Sequence, residues 1–314
     1  FVISKNSKRA DKRIFTENKE GEPIHIVENL NDSMEADKIV QTINKEIQEY
    51  RSSEGDNEFY DRFAILYRTN AQSRIIEDKL RRQGIPYHII GGVKFYERKE
   101  IKDMLGYVKV ISNPSDNVSL LRVLNFPPRG IGKTSIEKII KFSKQEKISI
   151  FKSLDHIDKI EIGQSQKKTI KIFTDNINTF IKKIDNYNIV ELINDIIEQF
   201  KIKEHYDKQN TSDSNERWRN IEELVNGMID YDSEKEEVKL ATFLEEVALL
   251  TDIDKWNDQV KQVTLMTIHS SKGLEFPIVF ISGLEEGLFP ISQYLDQNDE
   301  LEEERRLFYV GATR

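Results

Sequence analysis

Several residue types and patterns are missing from this sequence, and each absence excludes a class of protein. Cysteine is absent, which excludes disulfide bridges, a thiol nucleophile and a zinc–thiolate site. No apolar run approaches the roughly 18 residues of a membrane-spanning helix, so an integral membrane protein is excluded as well. The five histidines are scattered, without HxxxH or HExxH spacing, and the sequence therefore predicts no metal site. The phosphate-binding pattern GxxxxGK and the hydrolase pattern GxSxG are also absent.

What remains is a highly charged chain of 314 residues, with 47 Lys and Arg against 55 Asp and Glu and a net charge of −8. Charged residues make up 32% of the chain and hydrophobic residues 38%, a balance that predicts a helix-rich protein. At roughly 100–200 residues per domain, the length predicts two domains. The acidic total argues only weakly against a nucleic-acid partner, because such a partner responds to local patches of charge. Basic residues concentrate in 5–13 and in four lysines between 138 and 147.

The order of predicted elements indicates an α/β domain that carries a helical insertion. Short apolar or alternating runs predict five strands, at Pro23–Glu28, Phe63–Tyr67, Tyr87–Ile90, Gln262–Thr267 and Pro277–Ser282. Helical periodicity predicts eight helices between and after these strands, at 31–50, 71–83, 98–111, 134–147, 165–184, 189–203, 215–231 and 240–250, and a ninth at 300–314. The sequence therefore predicts a discontinuous α/β domain of residues 1–92 and 258–314 around a helical domain of residues 93–257.

Two segments that follow predicted strands are candidates for ligand contact, because ligands of α/β sheets bind at the carboxyl ends of the strands. The first, YRTNAQSR (67–74), leads into a helix, where Asn70 and Ser73 could bind phosphate oxygens; helix capping by Thr69 or Asn70 is an equally good interpretation. The second, TLMTIHSSKGLEF (264–276), combines hydroxyl groups, a lysine and a glycine in a plausible phosphate cradle.

Two further segments are weaker candidates. LEEERRLFYVGATR (301–314) is an amphipathic helix that ends on Arg314, and an arginine there is usually solvated or paired with an acid. PRGIGKT (128–134) places two glycines and a lysine at the start of a helix, where backbone N–H groups can meet a phosphate. A tight turn between helices is the simpler interpretation of that pattern.

Three of these segments together resemble the motifs of one family, the superfamily 1 DNA helicases of the UvrD/Rep type. Residues 264–290 are similar to motif V of that family, residues 301–314 to motif VI and residues 63–74 to motif IVa. Their order and separation match as well, and the resemblance covers essentially the whole chain. It implies a RecA-like second motor domain, with a parallel sheet of the P-loop NTPase type, interrupted by a mostly α-helical insertion domain that binds duplex DNA.

The resemblance also implies roles for individual residues. Arg314 takes the position of the motif VI arginine, which acts as an arginine finger on the γ-phosphate of ATP. Glu275 takes the position of the glutamate that binds the ribose, with Gly273 beside it in the nucleotide site. The DNA contacts that it implies, with their neighbouring candidates, are Arg68, Asn70, Thr267, His269, Lys272, Gly130, Ile131, Gly132, Lys133 and Thr134.

The same resemblance implies what lies outside this sequence. In the family, the Walker A and Walker B motifs belong to a first motor domain that precedes the segment matched here. The chain is therefore expected to be a fragment of an ATP-dependent 3′–5′ helicase of the bacterial cytoplasm, acting in DNA repair and replication. We expect ATP with Mg²⁺ as cofactor, with the Mg²⁺ ligands outside this chain, and no hydrolysis by the fragment alone. The expected partners are single-stranded DNA, junctions of single and double strands and the first motor domain, without a membrane.

Two alternatives remain. The chain could be a non-catalytic DNA- or protein-binding module whose working part is the helical insertion. It could also be the helicase half of a helicase–nuclease of the AddA/RecB type.

Overall fold

The computed structural model of the chain describes residues 2–6, 21–54, 59–184, 188–233, 240–253, 261–291 and 298–314. The chain forms two compact units, one of residues 1–94 with 255–314 and one of residues 95–254. That these units correspond to the two predicted domains stays a prediction. Within the described ranges, no helix is long and apolar enough to cross a membrane.

The first unit begins with alternating helices and strands. Helix α1 (Asp32–Glu54) starts behind Asn31, whose side-chain oxygen accepts the N–H of Met34 at 2.8 Å, as an N-cap should. The elements that follow are β1 (Phe63–Tyr67), α2 (Ser73–Arg82) and β2 (Tyr87–Ile90). Gly84 ends α2 in the left-handed conformation, with φ +65°, and the N–H of Ile85 bonds back to Leu80 at 2.9 Å.

The second unit consists of helices throughout its described length. They are α3 (Lys99–Ser112), α4 (Asn117–Val123), α5 (Lys133–Glu146), α6 (Ile150–Leu154), α7 (Gln164–Lys183), α8 (Ile189–Gln199), α9 (Ile202–Asp207), α10 (Ser212–Ser233) and α11 (Leu240–Ile253). Their apolar faces share one core that includes Tyr107, Phe173 and Ile193. Gly106 lies where α3 crosses α4, and a Cβ there would approach Val123 to 2.8 Å, so only glycine permits this crossing without a shift.

The chain then returns to the first unit with β3 (Val263–Thr267), β4 (Ile278–Ile281) and α12 (Asn298–Ala312). The four strands form one sheet in the order β2-β3-β1-β4, and every neighbouring pair is parallel. Strands β1 and β3 lie in the centre of the sheet. Every β1 side chain is buried, as its continuous apolar run predicted, and β3 is buried up to Thr267, which is partly exposed. The predicted α/β class is therefore confirmed.

Two sequence predictions are wrong. Pro23–Glu28 is not a strand: residues 21–29 have no regular secondary structure, and Ile24 and Ile26 are 84% and 95% exposed. A strand needs a paired neighbour, which local alternation of residues cannot supply. The single helix predicted over 189–203 is two helices, because Lys201 has φ +53° and reverses the backbone between α8 and α9.

Candidate functional site

The parallel pairing of β1 with β3 brings the ends of two candidate segments together. Tyr67 and Thr267 are partners in the register, so Arg68 and Ile268 leave the sheet side by side. The neighbouring strand β2 ends at the same edge, since Ile90 pairs with Met266. This carboxyl edge of the sheet therefore collects the loops that contain Arg68, Asn70, Thr267 and His269.

The loop after β1 is held by Gln72. Its side-chain oxygen accepts the backbone N–H of Arg68 at 2.9 Å and that of Thr69 at 2.8 Å, and Thr69 completes a capping box with it. Capping, one of the two interpretations of this segment, is thus present through Thr69. Asn70 opens the short 3₁₀ turn that follows, and its side-chain oxygen lies 3.7 Å from the place where a Cβ on Gly92 would be.

Arg68 is paired with an acidic residue of α12. Its Nε lies 3.1 Å from both carboxylate oxygens of Glu304, and its Nη2 lies 2.8 Å from one of them. The side chains are 14% and 5% exposed, so the pair is largely shielded from water. Within the described part of the chain, no acceptor bonds to the Nη1 of Arg68, which leaves that nitrogen for a further anion.

The loop after β3 uses its hydroxyl groups internally. The Thr267 hydroxyl lies 3.0 Å from the Ser270 hydroxyl and accepts the N–H of Ser270 at 3.4 Å. His269 projects from this loop, and partial burial together with the positive charge of Arg68 lowers its pKa below 6.5. Lys272 follows as an exposed cation at the end of the turn. The sheet edge thus offers a neutral imidazole and an ammonium group.

The last turn of α12 brings Arg314 beside the segment that follows β3. The carbonyl of Arg314 accepts the N–H of Phe276 at 3.4 Å, next to the exposed Glu275. Gly311 permits the close packing of α12 against Ile281, because a Cβ at Gly311 would lie 3.2 Å from the Ile281 side chain. The Arg314 side chain is half-buried, and only its Nε has a partner in the described structure, the carbonyl of Val310 at 3.1 Å.

Gly273 and Glu275 follow β3 and are both exposed. Gly273 has φ +88° and open space where a Cβ would be, so a ligand can approach its backbone closely. The exposed carboxylate of Glu275 can accept hydrogen bonds from sugar hydroxyl groups. The described residues contain no group of three or more His, Asp or Glu side chains placed to hold a metal ion.

The glycine turn before α5 belongs to the helical unit. Gly130 has φ +74°, and neither it nor Gly132 has another atom within 4 Å of a would-be Cβ. Ile131 between them is buried, whereas the Lys133 side chain is 91% exposed and Thr134 is exposed. Gly132 is the N-cap of α5, and because glycine has no side chain, the first N–H groups of the helix receive no cap bond from it.

Sequence reasoning missed the residues that hold these loops in place. The spacing of Thr69 and Gln72 is that of a capping box and was a usable signal for Gln72. Glu304 lies on the same helical stripe as Leu307 and Gly311, and an acid on a buried stripe indicates a buried partner. No local pattern indicated Glu35, whose carboxylate accepts the N–H of Gly283 at 3.0 Å.

Comparison with known proteins identifies relatives along the full length of the chain. A family model described as the UvrD-like helicase C-terminal domain matches residues 1–314. The chain is 39% identical over 317 residues to the ATP-dependent DNA helicase PcrA of Staphylococcus aureus and 39% identical over 319 residues to that of Bacillus subtilis. It is 40% identical to PcrA of Staphylococcus epidermidis. Each alignment covers 100% of this chain and 42% of the relative, so the chain spans less than half of their length.

Proposed function

The chain belongs to the family of UvrD-like helicase C-terminal domains, and on this premise we propose that it supplies the second motor domain and the helical insertion of an ATP-dependent 3′–5′ DNA helicase. The parent protein would act in DNA repair and replication in the bacterial cytoplasm. The proposal rests on the shared carboxyl edge of β1 and β3, which collects the loops of motifs IVa and V.

That edge would form half of a groove for single-stranded DNA. Arg68 and Asn70 would contact phosphates from one loop, and Thr267, His269 and Lys272 from the other. Glu304 holds the Arg68 guanidinium along its Nε–Nη2 edge, and Nη1, which has no acceptor among the described residues, would bind a phosphate oxygen. Because such contacts go to the DNA backbone, we expect little sequence specificity.

The segment beyond that groove would form half of an ATP site. Gly273 would let the nucleotide approach its backbone, Glu275 would accept hydrogen bonds from the ribose, and Arg314 would extend toward the γ-phosphate. When bound, ATP with Mg²⁺ would supply the phosphoryl transfer that drives movement along DNA. The guanidinium of Arg314 would stabilise the charge that develops in that transfer, while the first motor domain would complete the site.

The helical unit would bind duplex DNA. Its exposed glycine turn, Gly130–Ile131–Gly132, would bring backbone N–H groups to phosphates, with Lys133 and Thr134 adding a cation and a hydroxyl group. Ile131, buried beneath the turn, would anchor it to the helical core.

The decisive experiment changes Arg314→Ala in the full-length parent and measures DNA-stimulated ATP hydrolysis. Loss of an arginine finger is expected to lower kcat by about 10³–10⁵-fold and to leave single-strand affinity unchanged. Arg314→Lys keeps the charge without the planar fork and should restore little activity. Arg306→Ala is the matched control, since Arg306 lies on the same helix, is 37% exposed and pairs with Glu302 and Glu303. An unchanged rate in Arg314→Ala would favour a non-catalytic binding module.

A second experiment tests the DNA assignments with the chain itself. The chain is titrated against a duplex with a 3′ single-stranded tail and against the single strand alone, at several salt concentrations. Counterion release predicts that affinity falls steeply with salt on both DNAs. Changing Gly130→Val together with Gly132→Val should weaken binding to the tailed duplex more than binding to the single strand. Equal losses on the two DNAs would contradict the assignment of the turn to the duplex.

A further inference from the structure

The glycine turn is organised by one side chain at the end of α4. The side-chain oxygen of Asn125 accepts the backbone N–H of Arg129 at 2.7 Å and that of Ile131 at 3.1 Å. These two bonds span the turn from its entry to its centre. They give both backbone N–H groups an acceptor, so the Asn125 side chain fixes the backbone conformation of the turn.

Arg129, which directly precedes Gly130, turns its side chain inward. Its Nη1 donates to the carbonyl of Val123 at 2.8 Å and also reaches the carbonyls of Leu124 and Phe126. These carbonyls lie at and just beyond the end of α4, where a cation also complements the helix dipole. Its Nη2 donates to the Tyr107 hydroxyl at 2.5 Å.

Aromatic rings complete the enclosure of this guanidinium. Its central carbon lies 5.2 Å from the ring centres of both Phe173 and Phe200, close enough for cation–π attraction. Arg129 therefore connects α4 to α3 through Tyr107 and to α7 through Phe173. An arginine beside a glycine turn suggests a phosphate contact, but this one has its donors directed to carbonyls and rings within its own unit.

We propose that Asn125 and Arg129 are positioning residues for the duplex-contacting turn, and that neither touches DNA. Asn125 fixes the backbone of the turn and Arg129 fixes its attachment to the helical core. Together they would set the direction in which the first backbone N–H groups of α5, behind its N-cap Gly132, meet a phosphate. The functional part of this inference rests on the proposed duplex contact, whereas its structural part does not.

The test combines amide hydrogen exchange with DNA titration of the full chain. Asn125→Ala should lower the protection of the Arg129 and Ile131 amides. It should also weaken binding to the tailed duplex by about tenfold, as expected for the loss of buried hydrogen bonds, with single-strand affinity unchanged. Asn125→Asp keeps an acceptor oxygen and should retain the amide protection. Asn113→Ala is the matched control, because Asn113 caps the N–H of Ser115 at 3.0 Å in an exposed turn elsewhere in the same unit.

Arg129→Lys provides a second, independent variant. It keeps the positive charge but cannot bridge three carbonyls and a hydroxyl, so the same selective loss of tailed-duplex affinity is expected. Unchanged protection in Asn125→Ala, or lost protection with unchanged affinity for the tailed duplex, would overturn the proposal. Equal weakening on both DNAs would overturn it too. If the Gly130→Val and Gly132→Val double change leaves tailed-duplex binding intact, the duplex contact itself fails, while the exchange data still decide whether Asn125 holds the turn.

Discussion

The ion pair between Arg68 and Glu304 is largely buried, so its removal should destabilise the sheet unit. Glu304 lies on α12 and accepts three hydrogen bonds from the guanidinium, at 2.8, 3.1 and 3.1 Å. Changing Glu304→Ala removes the acceptors but leaves the charged guanidinium, of which only 14% is exposed. The variant therefore contains a buried cation without a partner.

The expected cost follows from that burial. Breaking a buried pair by removing one partner costs about 3–5 kcal/mol, and we expect about 3 kcal/mol because Arg68 keeps some contact with water. Total stabilities of single domains are about 5–15 kcal/mol, so the change is a large fraction of the whole. Replacing both residues by apolar ones of similar length, as in Arg68→Met with Glu304→Leu, should recover most of the loss.

Native-state amide exchange of β1 is a suitable assay, because it reports the sheet unit separately from the helical unit. Glu303→Ala is the control on the same helix: its pair with Arg306 is 2.5 Å long, but the two side chains are 69% and 37% exposed. Exposed pairs contribute about 0–1 kcal/mol. A loss of stability in Glu304→Ala no larger than that in Glu303→Ala would refute the reasoning, because the larger cost of Glu304→Ala was expected from the burial of its pair.

Three further predictions concern titration and glycine geometry. The His269 ring should titrate below 6.5, because burial and Arg68 lower its pKa, and NMR titration of the wild type measures that pKa. The stabilising contribution of the neutral ring is then complete above pH 6.5 and is lost as the pH falls. The difference in free energy of unfolding between wild type and His269→Asn, followed over pH, measures that loss. Gly84→Ala has open space but φ +65°, so urea denaturation should show a loss of about 1 kcal/mol. Gly283→Ala combines φ +71° with a Cβ only 2.1 Å from the Gln72 amide nitrogen, so its loss of stability should be about 2–3 kcal/mol. Equal losses of stability at the two glycines would show that the Gln72 side chain moves aside without cost.

The central strands could be predicted because their signal is local. Strand β1 is buried on both faces, as its continuous apolar run predicted, whereas β3 was predicted from the strand character of residues 262–267, which include two threonines. The family assignment was equally accessible, since the strings at 63–74, 264–290 and 301–314 are long and specific, and the match over residues 1–314 confirms it.

The two wrong elements show where local patterns fail. Residues 23–28 alternate as a half-buried strand would, yet Ile24 and Ile26 are exposed, and no described strand pairs with them. Between α8 and α9 the apolar period continues without a glycine or proline, so nothing in the sequence indicated that Lys201 adopts φ +53°. In both places the deciding interaction lies outside the segment that carries the pattern.

Three arginines that lie beside a turn or a helix end illustrate the same limit for the site. The two Nη nitrogens of Arg129 donate to carbonyls and a hydroxyl group, and its guanidinium faces two aromatic rings. Arg68 donates from Nε and Nη2 to Glu304, and its Nη1 has no acceptor among the described residues. Arg314 donates from Nε to the carbonyl of Val310, and among the described residues no acceptor bonds to its two Nη nitrogens.

The number of guanidinium N–H groups that have no acceptor among the described residues increases from Arg129 to Arg68 to Arg314. The capacity to bind an anion should increase in the same order. That order agrees with the roles proposed for them: Arg129 as a structural anchor, Arg68 as an oriented backbone contact and Arg314 as the finger for a transferred phosphoryl group. The three sequence contexts are alike in placing an arginine beside a turn or a helix end. The acceptors that distinguish them come partly from distant segments, such as Glu304 for Arg68 and the rings of Phe173 and Phe200 for Arg129. Assigning a ligand role to an arginine in this family therefore requires counting its internal acceptors first.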